Sequence, residues 1–146
     1  MDIKFSIKTR INKPIDEVFK AIVDPESLNS FFTSSTTGAI EEGEIISWYW
    51  GNEKTDVTVL EVEPLRTITF RWEAYNVSYE TLVEIDFQAR DDETIVTITE
   101  SGWNESQEGL NSSYAHCSGW QHMLTCMKGW LEFGIDLRTK AKAQVD

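Results

Sequence analysis

The sequence predicts an α+β fold, a curved antiparallel β-sheet wrapped around a long C-terminal helix, with two short helices between the first and second strands. Three observations predict it. Apolar and polar residues alternate in successive stretches between residues 3 and 100, the period of strands with one buried face. Short runs of turn residues separate those stretches, which favours strands in meander order. From about Ser112 to Lys140 there is no proline, and apolar residues recur at i, i+3, i+4 and i+7, the spacing of a helix laid against a core. Strands in a run, plus one helix covering a face, give the α+β class.

Ile3, Phe5, Ile7 and Ile11 share one side of the first strand, and Lys4, Ser6, Lys8 and Arg10 the other. Asn12-Lys13-Pro14 ends it. Pro14 suits a first helical turn, and Asp16 and Glu17 favour the positive end of that helix. Ile15, Val18, Phe19 and Ile22 fall at helical spacing, up to Asp24-Pro25. A second helix is expected from Glu26 to Phe32, with Leu28 and Phe31 or Phe32 inward. Residues 33–39 are small and polar and give no clear element, and Glu41 to Glu44 reads as a turn.

Six strands are expected after the two helices. Ile46, Trp48 and Trp50 share a face, and Gly51-Asn52 is a hairpin signal. Val57, Val59, Leu60 and Val62 mark the next strand, which turns at Pro64-Leu65-Arg66. Ile68, Phe70 and Trp72 alternate against Thr67, Thr69 and Arg71. Tyr79, Thr81, Val83, Ile85 and Phe87 alternate against Glu80, Glu84 and Asp86. After a turn at Asp91-Asp92-Glu93, Val96 and Ile98 share a face in a strand ending at Glu100. Gly102 to Gly109 connects to the long helix, with a separate short helical turn over 105–111. Trp120, Met123, Leu124, Met127, Leu131 and Ile135 form the helix stripe, and the tail from Lys140 to Asp146 is expected to fray.

A chain of 146 residues with 40% hydrophobic residues suits one domain, 1–146, with a real core. Its net charge of −12, from 25 acids and 13 bases, argues against nucleic acid and against anionic membranes. No apolar run reaches the roughly 20 residues of a membrane helix, so no membrane insertion is expected. The first residues lack the apolar stretch of a signal peptide, which points to the cytoplasm. Cys117 and Cys126 lie on one predicted helix about 13 Å apart, too far for a disulfide, so both are read as free thiols.

Several local motifs occur in an order that resembles the START-like helix-grip superfamily. The branch related to the C-terminal domain of the activator of Hsp90 ATPase is the most similar. The motifs are Ile11-Asn12-Lys13-Pro14-Ile15-Asp16-Glu17-Val18-Phe19, Asp24-Pro25-Glu26-Ser27-Leu28, Glu63-Pro64-Leu65-Arg66-Thr67-Ile68, and Gly119-Trp120 followed by Leu124, Met127, Leu131 and Glu132. Phe31-Phe32 stands where members often carry Trp, and Glu42-Gly43-Glu44 where they often carry Gly-Gly. The resemblance implies a helix-grip fold with a cavity between sheet and helix, and relatives that bind lipids, polyketides or plant-type aromatics, act as enzymes or act on chaperones.

The expected activity is the binding of a small apolar ligand, lipid-like or aromatic, by a carrier or sensor. By strand parity Trp48, Trp50, Phe70, Trp72, Tyr79 and Ile98 face the helix, and Trp120, Met123, Leu124 and Met127 face back. These residues would line a cavity, or else fill a dry core. Glu100 shares parity with Val96 and Ile98. Enclosed, it would need a partner such as Arg71 or His116 and could orient a ligand. The plainer reading, an exposed strand end beside Ser101-Gly102, is preferred. His116, near the helix start, is the second polar candidate. His122 and Cys126 stand i, i+4 without an evident third ligand, so no metal is expected. No nucleophile elbow, Cys–His–acid set or phosphate-binding glycine loop appears, so no catalytic residue and no cofactor is assigned. A chaperone-associated module, or a cyclase- or hydrolase-type enzyme using Glu100 and His116, are the competing readings. A monomer or weak dimer is expected.

Overall fold

The computed structural model describes residues 2–138. In chain order the elements are β1 (Ile3–Ile11), α1 (Ile15–Val23), α2 (Pro25–Asn29), β2 (Ser35–Thr36), β3 (Ile45–Trp50), β4 (Glu53–Glu63), β5 (Thr67–Glu73), β6 (Glu80–Arg90), β7 (Glu93–Trp103) and α3 (Gln107–Phe133). The strands form one antiparallel sheet in the order β1-β7-β6-β5-β4-β3-β2. Only β1 leaves the meander. It pairs with the last strand, because the helices that follow it carry the chain to the opposite edge.

Alternation decides which face is covered. Val57 and Val59 on β4, Ile68, Phe70 and Trp72 on β5, Val83, Ile85 and Phe87 on β6, and Val96 and Ile98 on β7 are all buried. Trp120, Met123, Leu124, Cys126 and Met127 of α3 close the same core. A bulge between Val59 and Glu61 lifts Leu60 out of the alternation, so Leu60, expected with the apolar set, is 42% exposed. α3 packs mainly on β1 and β7, while α1 and α2 lie together over another part of the sheet.

Several elements differ in extent from the sequence reading, each for a local reason. α2 stops at Asn29 instead of Phe32, and Arg138 donates from Nη2 and Nη1 to the carbonyls of Asn29 and Thr33 just beyond it. The first strand after the helices is the two-residue β2, inside the polar segment with no apolar alternation to reveal it. β7 continues past Glu100 to Trp103, with Gly102 at φ 109. α3 begins at Gln107, not Ser112, as one continuous helix. The Ser106 hydroxyl accepts from the Gly109 N–H and caps it. It ends at Phe133, not Lys140. Gly134 at φ 69 takes the left-handed position, and the N–H groups of Gly134 and Ile135 close on the carbonyls of Trp130 and Gly129. Ile135 therefore leaves the helix stripe. The tail Lys140 to Asp146 lies outside the described residues. Among the described residues no helix is long and apolar enough to cross a membrane.

Candidate functional site

The inward positions of three neighbouring strands converge below α3. Trp72 on β5 pairs across the sheet with Thr81 on β6, and Val83 on β6 with Glu100 on β7. One turn of α3 places His116 and Trp120 on the same side, above them. Glu100 is completely buried, so the exposed strand end preferred from the sequence is corrected. The strand runs three residues further than expected, which moves Glu100 from an end into the interior.

The Glu100 carboxylate is surrounded by donors. Oε2 accepts from Trp72 Nε1 at 2.9 Å and from the Thr81 hydroxyl at 2.7 Å, and Oε1 accepts from Trp120 Nε1 at 2.8 Å. His116 Nδ1 lies 2.8 Å from Oε2, although its N–H direction is poorly aligned with that oxygen. The other ring nitrogen, Nε2, accepts the Tyr75 backbone N–H at 2.8 Å. A neutral imidazole accepting at Nε2 carries its proton on Nδ1, facing Glu100. All three hydrogen bonds to Glu100 use its oxygens as acceptors. Of the two partners expected for Glu100, His116 is present. Arg71 sits on the opposite, exposed face of β5.

The clamp fixes two indoles. Trp72 and Trp120 stack with centroids 5.2 Å apart and planes 29° from parallel. Phe70, Trp48 and Phe32 pack against them, mostly edge to face. Trp50 joins through Phe32 and donates from Nε1 to the Phe32 carbonyl. Trp48 Nε1 is buried without an acceptor.

Between this aromatic wall and α3 lies a cleft of about 410 Å³. Its lining is Phe31 and Phe32 after α2, Trp50 and Trp72 from the sheet, His116, Gly119, Trp120, His122 and Met123 of α3, and Arg138. Among the residues singled out from sequence, Trp50, Trp72, His116, Trp120 and Met123 reach the cleft. Trp48 and Phe70 stand behind its wall, and Glu100 lies beneath it. Ile98, Leu124 and Met127 are in the dry core. Tyr79 turns away, and its hydroxyl accepts from the Asn104 N–H.

Sequence reasoning missed five members. Thr81 was visible by parity but is small. Phe31 and Phe32 were read only as packing. His122 was weighed only as a metal ligand. It lies 3.5 Å from Cys126 Sγ, and among the described residues no cluster of three potential ligands forms. Arg138 was assigned to a helix that has already ended. Its guanidinium also holds Asp136 at 3.0 Å, so the post-helix turn is anchored at the cleft rim. Cys126 is not set up as a nucleophile, because burial pushes its thiol up despite the nearby Arg138 charge. A second, larger groove of about 710 Å³ runs beside β1 and the first half of α3, away from the aromatic wall.

Residues 12–132 match the family described as Activator of Hsp90 ATPase homolog 1-like protein. No curated protein matches the chain. Among solved structures, protein SSP2350 from Staphylococcus saprophyticus is 27% identical with a TM-score of 0.79, over 92% of this chain and 95% of that one. The Aha1 dimer from Colwellia psychrerythraea is 21% identical with a TM-score of 0.77, over 90% and 98%. DynU16, a putative protein in the dynemicin biosynthetic locus, is 22% identical with a TM-score of 0.81, over 92% of this chain and 49% of that one. The last two likenesses concern the fold alone.

Proposed function

The chain belongs to the Activator of Hsp90 ATPase homolog 1-like family, and on that premise we propose that it binds a small, planar aromatic ligand in the cleft between α3 and the sheet, as a carrier or sensor. The observation that carries this reading is the Glu100 clamp. It holds Trp72 and Trp120 by their indole N–H groups, so the flat wall of the cleft is ordered before any ligand arrives. A wall fixed in advance spares the ligand the cost of ordering it. The volume and the aromatic lining suit a ligand of two or three fused rings. Met123 supplies an adaptable opposite side. His122 and the edge of His116 are the polar groups available to set its orientation.

The stacked and edge-on rings lining the cleft make a polycyclic aromatic ligand the first probe. A flexible lipid chain gains less from flat, rigid walls, so it is the second choice. Glu100 is held by Trp72, Thr81 and Trp120 below the wall, with His116 beside it, which favours a positioning role over proton transfer to a substrate. The reading is of a cytoplasmic monomer or weak dimer. A chaperone-associated role, which the family description brings, would use the outer surface and leave the cleft silent.

The test is thermal unfolding with an anthraquinone, a flavonoid and palmitate, each on the native chain and on Trp50→Ala. A ligand at 100 times its Kd adds about 2.7 kcal/mol of apparent stability. The anthraquinone or the flavonoid should raise Tm in a dose-dependent way, palmitate less, and Trp50→Ala should blunt the rise. No rise with any probe, or a rise indifferent to Trp50, overturns the reading.

A further inference from the structure

We propose that the free edge of β1 is a docking site for an extended acidic segment of a partner protein, which would add to the sheet as an eighth strand. β1 is an edge strand, paired only with β7. Two contacts show which backbone groups face outward. The Arg10 carbonyl accepts from Lys128 Nζ, and the Asn12 N–H donates to Glu132. Backbone groups of alternate residues in an antiparallel strand point to the same side. The N–H and C=O of Lys4, Ser6 and Lys8 therefore face the free edge, while Lys128 and Glu132 block its far end.

The side chains at this edge select the occupant. Lys4 and Lys8 stand on the outer face of β1 and are exposed. Neither has a carboxylate partner among the described residues, in a chain carrying 25 acids against 13 bases. A strand added here would put every second side chain beside them, where acidic residues fit. Its intervening side chains would drop into the groove of about 710 Å³, where apolar residues fit over Phe5, Leu110, Tyr114 and Cys117, while Asp2 and Glu105 in the same lining keep acidic side chains to the outer face. A second copy of this chain fits poorly in the fully overlapped register. Antiparallel β1–β1 pairing centred on Ser6 sets each Lys4 opposite the other copy's Lys8, and like charges directly opposite are destabilising. The lysines guard the edge against self-pairing and leave it open to an acidic strand.

The experiment titrates the full chain with the peptides acetyl-EVEVE-amide and acetyl-KVKVK-amide, followed by backbone amide NMR and hydrogen exchange. EVEVE should shift the amides of Lys4, Ser6 and Lys8 and slow their exchange, with affinity falling as salt rises. KVKVK should not bind. Ser6→Pro removes an outward N–H without touching the β7 ladder and should weaken EVEVE binding at least tenfold. Should that variant misfold, the surface double change Lys4→Glu with Lys8→Glu should reverse the peptide preference. Equal binding of both peptides, shifts confined to the tryptophan-lined cleft, or β1 protection that grows only as the chain dimerises would overturn the proposal.

Discussion

At the scale of single residues the site turns on Glu100. Its burial is tolerated because three donors hydrogen-bond to one carboxylate, with the His116 ring beside it. Glu100→Gln keeps the shape but gives the clamp a donor of its own, which must face at least one indole N–H or the Thr81 hydroxyl. A buried donor left unsatisfied costs about 1–3 kcal/mol. Urea unfolding should therefore show a loss of about 1–3 kcal/mol, with altered tryptophan emission. A loss below about 1 kcal/mol would mean that the clamp is not under load. Glu100 was legible as an inward position by parity, but its enclosure was not. Burial depended on β7 continuing through Gly102, and a glycine at a strand end reads as a stop. His116 was legible as a polar residue one turn from Trp120. Its Tyr75 contact was not, because it joins residues 41 apart in a loop with no pattern.

Glu132 offers a pH test at the same scale. Burial raises its carboxyl. The Lys128 hydrogen bond, the Asn12 N–H and the charges of Lys128 and Lys13 outweigh that, and the net direction is down from the usual value. The unfolded chain then binds more protons than the folded one between the two values, so stability rises with pH there. The Glu132 contribution is full above the ordinary glutamate value of about 4.3 and is lost as pH falls through the lower folded value. Glu132→Gln should be less stable than the native chain at pH 6, and the gap should close on acidification below about pH 4. A gap independent of pH would assign the effect to shape instead of charge.

At the scale of elements, turn chemistry sets the boundaries. Arg66 N–H closes on the Glu63 carbonyl, with Pro64 second and Leu65 third at φ 64. This is the geometry in which the third position favours Gly or Asn. A left-handed non-glycine residue costs about 1–2 kcal/mol, and Asn tolerates it better. Leu65→Asn should raise stability by about 0.5–1 kcal/mol, read as a higher Tm, since Leu65 is largely exposed. Lower stability would show that Leu65 packs more than its exposure suggests. Gly129 works the other way. A Cβ there would meet Leu137 Cδ1 at 2.8 Å and Cγ at 3.1 Å, so Gly129→Ala should push the Leu137 side chain aside and loosen the turn that carries Arg138 to the cleft rim. Faster amide exchange at Asn29 to Thr33 would report it, and unchanged exchange would contradict it. Long alternating strands were plain in the sequence because side-chain period 2 writes itself into composition. β2 was not, since two polar residues carry no period. The end of α3 was missed because Ile135 and Leu137 continue the apolar spacing past Gly134 while folding back onto Gly129.

At the scale of the whole molecule, α3 covers the sheet unevenly. It packs mainly on β1 and β7, and large rings bridge to the other side, leaving the cleft. The seven-strand sheet with a long closing helix was legible from periodicity and order, and the motif order agreed with the family that residues 12–132 match. The cleft was only partly legible. Parity names residues that face inward, but it does not separate those that touch a void, such as Trp50 and Met123, from those pressed into the core, such as Ile98 and Leu124. That distinction depends on where α3 and the sheet part, which strand parity does not encode. Six tryptophans provide six indole N–H reporters. The most direct test records their NMR signals while an anthraquinone is added. Binding in the cleft predicts shifts at Trp50, Trp72 and Trp120, with Trp103, bonded to Ser112 beyond the wall, unmoved. Shifts at Trp103 alone, or at none of the six, would contradict a ligand seated between α3 and the sheet.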